Sequence, residues 1–211
     1  IFTLERGRED ISRVNTTLAK QLALYVVYYS PLQMAADFPE NYQGNPAFQF
    51  IRDVPVDWSE TVALNGEIGE YLSVARKDRV SDDWYLGAVT DEDGRELQVR
   101  LDFLDPGRPY VAEIYADGPE AHWVTSPYEV EITRQRVDSR TVLSLRLAPG
   151  GGQAVRIRLA PATSARTART STLSGPAAVS SNPRRLKSFA CCSSAATSRA
   201  EQLRVSGTNK G

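Results

Sequence analysis

The sequence changes character abruptly near Leu159, and this break limits the folded part of the chain to the residues before it. The tail, residues 160–211, carries eight Lys or Arg residues and one acidic residue, Glu201, whereas residues 1–159 carry a net charge of −8. Of the 18 aromatic residues only Phe189 lies in the tail, and Ala, Ser and Thr make up 26 of its 52 residues. Because so few large apolar side chains cannot offset the conformational entropy lost on ordering, we predict a disordered tail.

The composition also narrows the partners that we expect. Residues 1–159 are long enough to bury a core, and they lack cysteine, so they hold no disulfide and no Cys-ligated metal site. The longest apolar run, residues 22–29, is far shorter than the roughly 20 residues that span a bilayer, so we expect no membrane partner. The basic charges of the tail are sparse and lack stacking aromatic residues, so we also expect no nucleic acid.

The first predicted element is a helix that ends at Pro31. Five apolar residues share one face of it at helical spacing: Leu18, Leu22, Tyr25, Val26 and Tyr29. Asn15 or Thr16 can cap its start, and Pro31 disfavours helix at the residue before it. Residues 22–29 are apolar nearly all round, which favours burial between two layers.

A strand and a second helix are predicted next. Leu32–Ala36 is a short apolar run typical of a buried strand, and a loop follows it. Asn45 and Pro46 then open a short helix that runs to about Arg52. This order is typical of an α/β layered fold.

Asp37 and Glu40 are the candidate substrate-binding residues. If Leu32–Ala36 is a parallel strand, both acids follow its carboxyl end, where α/β folds place their ligands. The alternative interpretation, that the two acids cap a loop, stays open.

After Pro55 the apolar pattern changes to a period of two, which predicts an antiparallel β domain. The domain boundary falls near Val54–Leu64, and five to seven short strands indicate a sandwich or barrel. Asp91–Gly94 and Pro149–Gly152 are predicted as hairpin connections. The predicted strands are Trp84–Thr90, Glu96–Phe103, Tyr110–Tyr115, Tyr128–Arg136, Leu143–Leu147 and Val155–Leu159.

The motifs of this part favour structural roles. His122 is the only histidine, which excludes a two-histidine metal site, and it is interpreted as a loop or sheet-edge residue. Asp91–Gly94 lacks the downstream glutamate of a calcium loop, so a turn is favoured. Two acidic clusters, at residues 53–60 and 78–83, could pair carboxylates for glycoside hydrolysis, but their position at boundaries and turns favours solvated side chains. The three tryptophans, Trp58, Trp84 and Trp123, could stack on sugars or fill a core.

Several long strings closely resemble glycoside hydrolase family 97. They are NTTLAKQLALYVVYYSPLQMAAD at 15–37, PENY at 39–42, PAFQFIRDVPVDW at 46–58 and SDDWYLG at 81–87. The string APGGG at 148–152 is similar to the C-terminal hairpin of that family. The resemblance covers about residues 1–159.

The resemblance implies an architecture in three parts. These are an N-terminal β-sandwich, a central (β/α)8 barrel that hydrolyses α-glucosides or α-galactosides, and a C-terminal antiparallel β domain linked to oligomerisation. By this resemblance Asn15–Tyr29 is the seventh barrel helix, Leu32–Ala36 the eighth strand and Pro46–Arg52 the eighth helix. Members are typically calcium-dependent and exported by bacteria of the Bacteroidetes type, so the implied location is periplasmic or secreted.

The catalytic and calcium-binding glutamates of the family map onto no position of this sequence. We therefore expect no catalytic residue and no metal site here, and calcium is expected only in the parent enzyme. The chain opens on Ile1, which we interpret as an internal start.

These observations predict an α+β fragment in three segments. Residues 1–57 are the remnant of the barrel, 58–159 the antiparallel β domain, and 160–211 a disordered tail from a shifted frame or read-through. The predicted function is the C-terminal part of an α-glucosidase or α-galactosidase, retaining or inverting, whose substrate is an α-linked oligosaccharide. The fragment alone is expected to be inactive. The alternative is a non-catalytic β module for homo-oligomerisation or carbohydrate binding.

Overall fold

The computed structural model describes residues 14–35 and 38–161. The predicted disordered tail, apart from Ala160 and Pro161, lies outside the described residues. Two α-helices, one 3-10 turn and eight strands occur in the described part. They are α1 (Leu18–Val27), the 3-10 turn (Pro39–Tyr42), α2 (Phe48–Asp53), β1 (Trp58–Glu67), β2 (Tyr71–Asp78), β3 (Trp84–Thr90), β4 (Arg95–Arg100), β5 (Tyr110–Asp117), β6 (Val130–Val137), β7 (Val142–Leu147) and β8 (Gly152–Leu159).

The strands form two antiparallel sheets that pack face to face. The larger sheet has six strands in the order β1-β2-β3-β8-β5-β6, and the smaller sheet pairs β4 with β7. Their facing sides enclose a core that includes Trp84, Leu86, Tyr110, Leu145 and Ile157, all buried. The prediction of an antiparallel β domain is thus confirmed.

Both hairpin predictions are wrong. Asp91–Gly94 follows β3 in the six-stranded sheet and leads into β4 in the two-stranded sheet. Pro149–Gly152 makes the return crossing, because β7 and β8 also lie in different sheets. Turn residues mark where a strand ends, but hairpins and sheet-to-sheet crossings use the same residue types, so the pattern does not identify the pairing partner.

Helix α1 packs on the other side of the six-stranded sheet. Its residues Leu18, Leu22 and Val26 form a second core with Tyr85 and Tyr115 of the sheet. We expected the helix to find its partners in barrel strands outside the chain, but one face of it is covered by this sheet instead. The prediction of a helix buried between layers holds for that face alone.

The helices begin later than predicted. Thr17, rather than Asn15 or Thr16, is the N-cap of α1, and its hydroxyl oxygen accepts a hydrogen bond from the Lys20 N–H. Helix α2 begins at Phe48, because Asn45 initiates a turn that precedes the helix. The Asn45 side-chain oxygen accepts a hydrogen bond from the Ala47 N–H in that turn.

The predicted strand Leu32–Ala36 is not formed over its described part. Residues 32–35 have no strand structure, and the Leu32 and Met34 side chains are 74% and 75% exposed. A parallel strand requires hydrogen-bonded neighbours on a covered sheet, and the described residues place no strand beside this segment.

Among the described helices, none has both the length and the apolar character needed to cross a membrane.

Candidate functional site

The described structure does not test the predicted substrate-binding pair, Asp37 and Glu40. Asp37 lies outside the described residues, and Glu40 is an exposed side chain of the 3-10 turn. A substrate-binding role for Asp37 and Glu40 therefore stays a prediction.

The predicted acidic clusters supply two partners of an arginine. Arg156 of β8 binds Asp53 at 2.6 Å and Asp83 at 2.9 Å, and all three side chains are largely buried. The Arg156 guanidinium also lies 5.9 Å from the centre of the Tyr85 ring, whose hydroxyl donates to the Asp53 carbonyl at 2.8 Å. Asp53 and Asp83 thus fix the end of α2 to the sheet, and the expectation of solvated side chains is wrong for these two.

The described ranges, 14–35 and 38–161, contain no cluster of three or more His, Cys, Asp or Glu side chains arranged to hold a metal ion. His122 bridges to Ser126 at the edge of a loop, and its Nδ1 accepts a hydrogen bond from the Val124 N–H at 3.0 Å. The interpretation of His122 as a loop or edge residue is confirmed. Trp58 and Trp84 are buried in the two cores, so neither ring is available to stack on a sugar.

The feature with the most specific geometry is the attachment of α1 to the β sandwich, which we call the helix anchor. At its start the Thr17 N–H donates to the Gly150 carbonyl at 3.1 Å, and the Leu18 N–H donates to the Pro127 carbonyl at 2.7 Å. Both donors are among the first N–H groups of the helix, which have no partner within it. The connection between β7 and β8 (Pro149–Gly152), which we call the crossover, and the loop that contains Pro127 therefore cap the start of the helix.

The other end of α1 is capped by a side chain. The Arg76 guanidinium of β2 donates to the Val26 carbonyl at 2.7 Å and to the Val27 carbonyl at 3.3 Å. A cation near the last helical carbonyls is favourable because these oxygens carry the negative end of the helix dipole. Burial lowers the pKa of Arg76.

Glycines allow the helix and the crossover to approach the sheet closely. A Cβ on Gly87 of β3 would lie 2.7 Å from the Ala23 carbonyl oxygen, and a Cβ on Gly152 would lie 2.7 Å from the Lys20 Cα. Gly150 has a φ of +64°, and its Cα packs against Trp123. The triple glycine, which was predicted as a hairpin connection, is thus a packed part of the helix anchor.

Asp117, at the end of β5, holds the crossover from within. Its Oδ2 accepts hydrogen bonds from the Ala148 N–H at 3.0 Å and the Gly152 N–H at 2.8 Å. Burial raises the pKa of Asp117, and the two N–H donors oppose that effect. Sequence reasoning missed Asp117, because an Asp-Gly pair after a strand is typical of a turn; the signal was the apolar strand that it ends.

The opposite surface of α1 and the segment after it are open. Apolar side chains that are more than half exposed lie there: Tyr28, Tyr29, Leu32, Met34 and Phe38. A groove of about 210 Å³ runs between α1, Met34 and Ile51. The six-stranded sheet also has two unpaired edges, β1 and β6, within the described residues. These surfaces fit contacts with other protein.

Comparisons with known proteins agree with this fold. Residues 57–158 match the family model described as Glycosyl-hydrolase 97 C-terminal, oligomerisation. A retaining α-galactosidase of Bacteroides thetaiotaomicron is 40% identical over 143 residues, which are 67% of this chain and 21% of that protein. A probable retaining α-galactosidase of Streptomyces bingchenggensis is 31% identical over 103 residues, or 48% of this chain and 16% of that protein.

A solved structure shows the same fold. It is a glycoside hydrolase family 97 enzyme of Pseudoalteromonas sp. strain K8 in complex with panose, with a TM-score of 0.69 and 52% identity. The match covers 71% of this chain and 23% of that enzyme. The chain spans about a fifth of the length of the relatives that it matches. Through residues 57–158, the C-terminal domain, this chain belongs to glycoside hydrolase family 97.

Proposed function

We propose that the chain is the C-terminal part of an α-glycosidase, in which the β sandwich is a non-catalytic oligomerisation module. The observation that carries this proposal is the family match over residues 57–158, which extends over all eight strands of the described fold. Two open sheet edges support it, because unpaired strand edges present backbone groups that a second chain can pair with.

The parent enzyme acts, in this proposal, on α-galactosidic or α-glucosidic bonds of oligosaccharides. Two relatives, a retaining α-galactosidase and a probable retaining α-galactosidase, and the panose complex of a third support this substrate class. A retaining enzyme cleaves with an acid/base carboxyl group and a nucleophilic carboxylate about 5–5.5 Å apart. In this proposal both groups, and the calcium of the parent, belong to a catalytic barrel outside residues 57–158, and the enzyme is periplasmic or secreted.

The segment before the sandwich is, in the same proposal, the end of that barrel. Helix α1 would be its seventh helix, residues 32–36 would become the eighth strand beside barrel neighbours, and α2 would be the eighth helix. The exposed Leu32 and Met34 support this assignment, because a barrel would cover them. Asp37 and Glu40 would then lie near the mouth of the barrel and contact substrate.

The first test is catalysis by the purified 211-residue chain. We expect no release of nitrophenol from nitrophenyl α-galactoside or α-glucoside, because the largely buried carboxylates Asp53, Asp83 and Asp117 hold contacts within the fold. Turnover by the chain alone would contradict the non-catalytic assignment.

The second test separates oligomerisation from carbohydrate binding. Static light scattering on the full chain should report a mass above that of a monomer, whereas titration with malto-oligosaccharides should give no saturable heat. We favour oligomerisation because Trp58 and Trp84, two of the three tryptophans predicted as sugar-stacking candidates, are buried. Saturable sugar binding by a monomer would reverse this choice.

A further inference from the structure

The Asp117 carboxyl group is unusual because only one of its two oxygens has partners. The residue is 3% exposed, and Oδ2 accepts both backbone hydrogen bonds of the crossover. Within the described residues, Oδ1 is buried without a hydrogen-bonding partner. Leaving a charged oxygen buried and unpaired is costly, since the group has lost its water and gained nothing in return.

A proton on Oδ1 removes this cost. A protonated carboxyl group keeps one acceptor oxygen and gains one O–H donor, so Oδ2 can still accept from the crossover. The Thr17 side chain faces Asp117 and lowers its pKa, but its hydroxyl does not complete a hydrogen bond with Oδ1. A proton placed on Oδ1 would give the Thr17 oxygen a donor.

The surrounding charges are too distant to replace that proton. Lys20 of α1 and Arg146 of β7 are the cations that interact with Asp117. Among the described residues, no ion pair between a basic and an acidic side chain includes Asp117. The Lys20 ammonium instead donates to the Thr90 carbonyl at 2.5 Å, and Arg146 donates to the Pro119 carbonyl at 2.7 Å. Burial therefore outweighs both cations and raises the pKa of Asp117.

We propose that Asp117 is a proton-operated latch between the β sandwich and the start of helix α1. When Asp117 carries its proton, it holds the crossover at Ala148 and Gly152, and the crossover holds the helix through the Gly150 carbonyl and the Thr17 N–H. Loss of the proton leaves a buried charge at this joint and loosens the helix. This inference does not depend on the proposed function.

The sign of the pH effect follows from the raised pKa of Asp117 in the folded state. The contribution of this group to stability is fully present below the unfolded pKa and is lost as the pH rises through the folded pKa. Asp138 is the matched control, because it is an exposed turn carboxylate whose pKa is lowered by the Arg140 N–H. Its contribution has the opposite sign, since it is lost as the pH falls.

The test measures Tm against pH for the full chain and for Asp117→Asn. An asparagine keeps an acceptor for both crossover N–H groups and has no proton to lose. We expect Asp117→Asn to melt above the wild type near neutral pH and the two curves to converge in acid. The difference in Tm between the two proteins should reach roughly 3–5 °C for every unit by which the pKa of Asp117 in the folded state exceeds its pKa in the unfolded state.

Three further measurements complete the test. Asp138→Asn should melt below the wild type near neutral pH, and that gap should close in acid. Amide exchange of residues 14–24, compared between wild type and Asp117→Asn at each pH, should be faster in the wild type at neutral pH alone. In the unmutated chain, the carboxyl carbon of Asp117 should titrate at a higher pH than that of Asp138. A pH-independent gap for Asp117→Asn, or a titration of Asp117 below that of Asp138, would overturn the latch.

Discussion

Replacing Gly87 with alanine should weaken the contact between helix α1 and the six-stranded sheet. The new methyl group would lie 2.7 Å from the Ala23 carbonyl oxygen, 3.0 Å from the Val26 Cβ and 3.1 Å from a Val27 methyl carbon. Ordinary contacts for a Cβ begin at 3.4 Å. Because the nearest atom belongs to helix backbone rather than to a flexible side chain, the whole helix must move outward by several tenths of an ångström.

The cost has a lower and an upper bound. Overpacking of a well-filled core costs about 1–3 kcal/mol. If the helix detached completely, its fully or nearly buried residues Leu18, Leu22 and Val26 would each lose about 1.5–3 kcal/mol of burial energy. We expect partial retreat of the helix, and hence a loss of about 1–3 kcal/mol, which lowers Tm by roughly 3–10 °C.

Urea unfolding of the full chain measures this loss, with Gly66→Ala as the matched control. Gly66 lies in β1, and a Cβ there would lie 3.2 Å from the end of the Leu72 side chain, which can rotate away. Gly66→Ala should therefore unfold within about 0.5 kcal/mol of the wild type. If Gly87→Ala unfolds at the same urea concentration as Gly66→Ala, the helix does not pack on β3 as described.

Three other substitutions test separate contacts of the fold. Arg76→Met removes the cap on the last carbonyls of α1 and should cost about 1–2 kcal/mol in urea unfolding; an unchanged midpoint would show that water replaces the cap. Arg156→Met leaves two largely buried carboxylates without their partner and should cost about 2–3 kcal/mol in urea unfolding; an unchanged midpoint would contradict the ion-pair assignment. Asp91→Asn should lower Tm near neutral pH, because the Asp93 N–H holds the pKa of Asp91 below its usual value; that difference should vanish as the pH falls through the folded pKa, and a difference that persists in strong acid would refute it.

The positions of six of the eight strands could be predicted from the sequence, but β1 and β2 were missed and the pairing of the strands could not be predicted. Alternation of apolar and polar residues identifies a strand and its buried face, and Trp84–Thr90 was predicted with the bounds that the structure gives. The strands β3 and β4 are consecutive, yet each pairs with a strand more distant in sequence. Pairing depends on which faces bury each other across the sandwich, and local patterns carry no information about that.

The contacts of the helix anchor could not be predicted from the sequence for a related reason. Asp117 contacts residues 31 and 35 positions away, and Arg156 contacts a partner 103 positions away. A charged residue inside an apolar strand, such as Arg156 between Val155 and Ile157, signals a buried partner but does not identify it. The strand predicted at Leu32–Ala36 is absent over residues 32–35 for the reverse reason, since an apolar run predicts burial and the described residues supply nothing that covers it.

The mass of the chain in solution tests the oligomerisation module most directly. Light scattering coupled to size-exclusion chromatography should be run on the full chain over a wide range of concentrations. We expect a mass of at least twice 23.3 kDa that falls on dilution. A mass of 23.3 kDa at every concentration would contradict it.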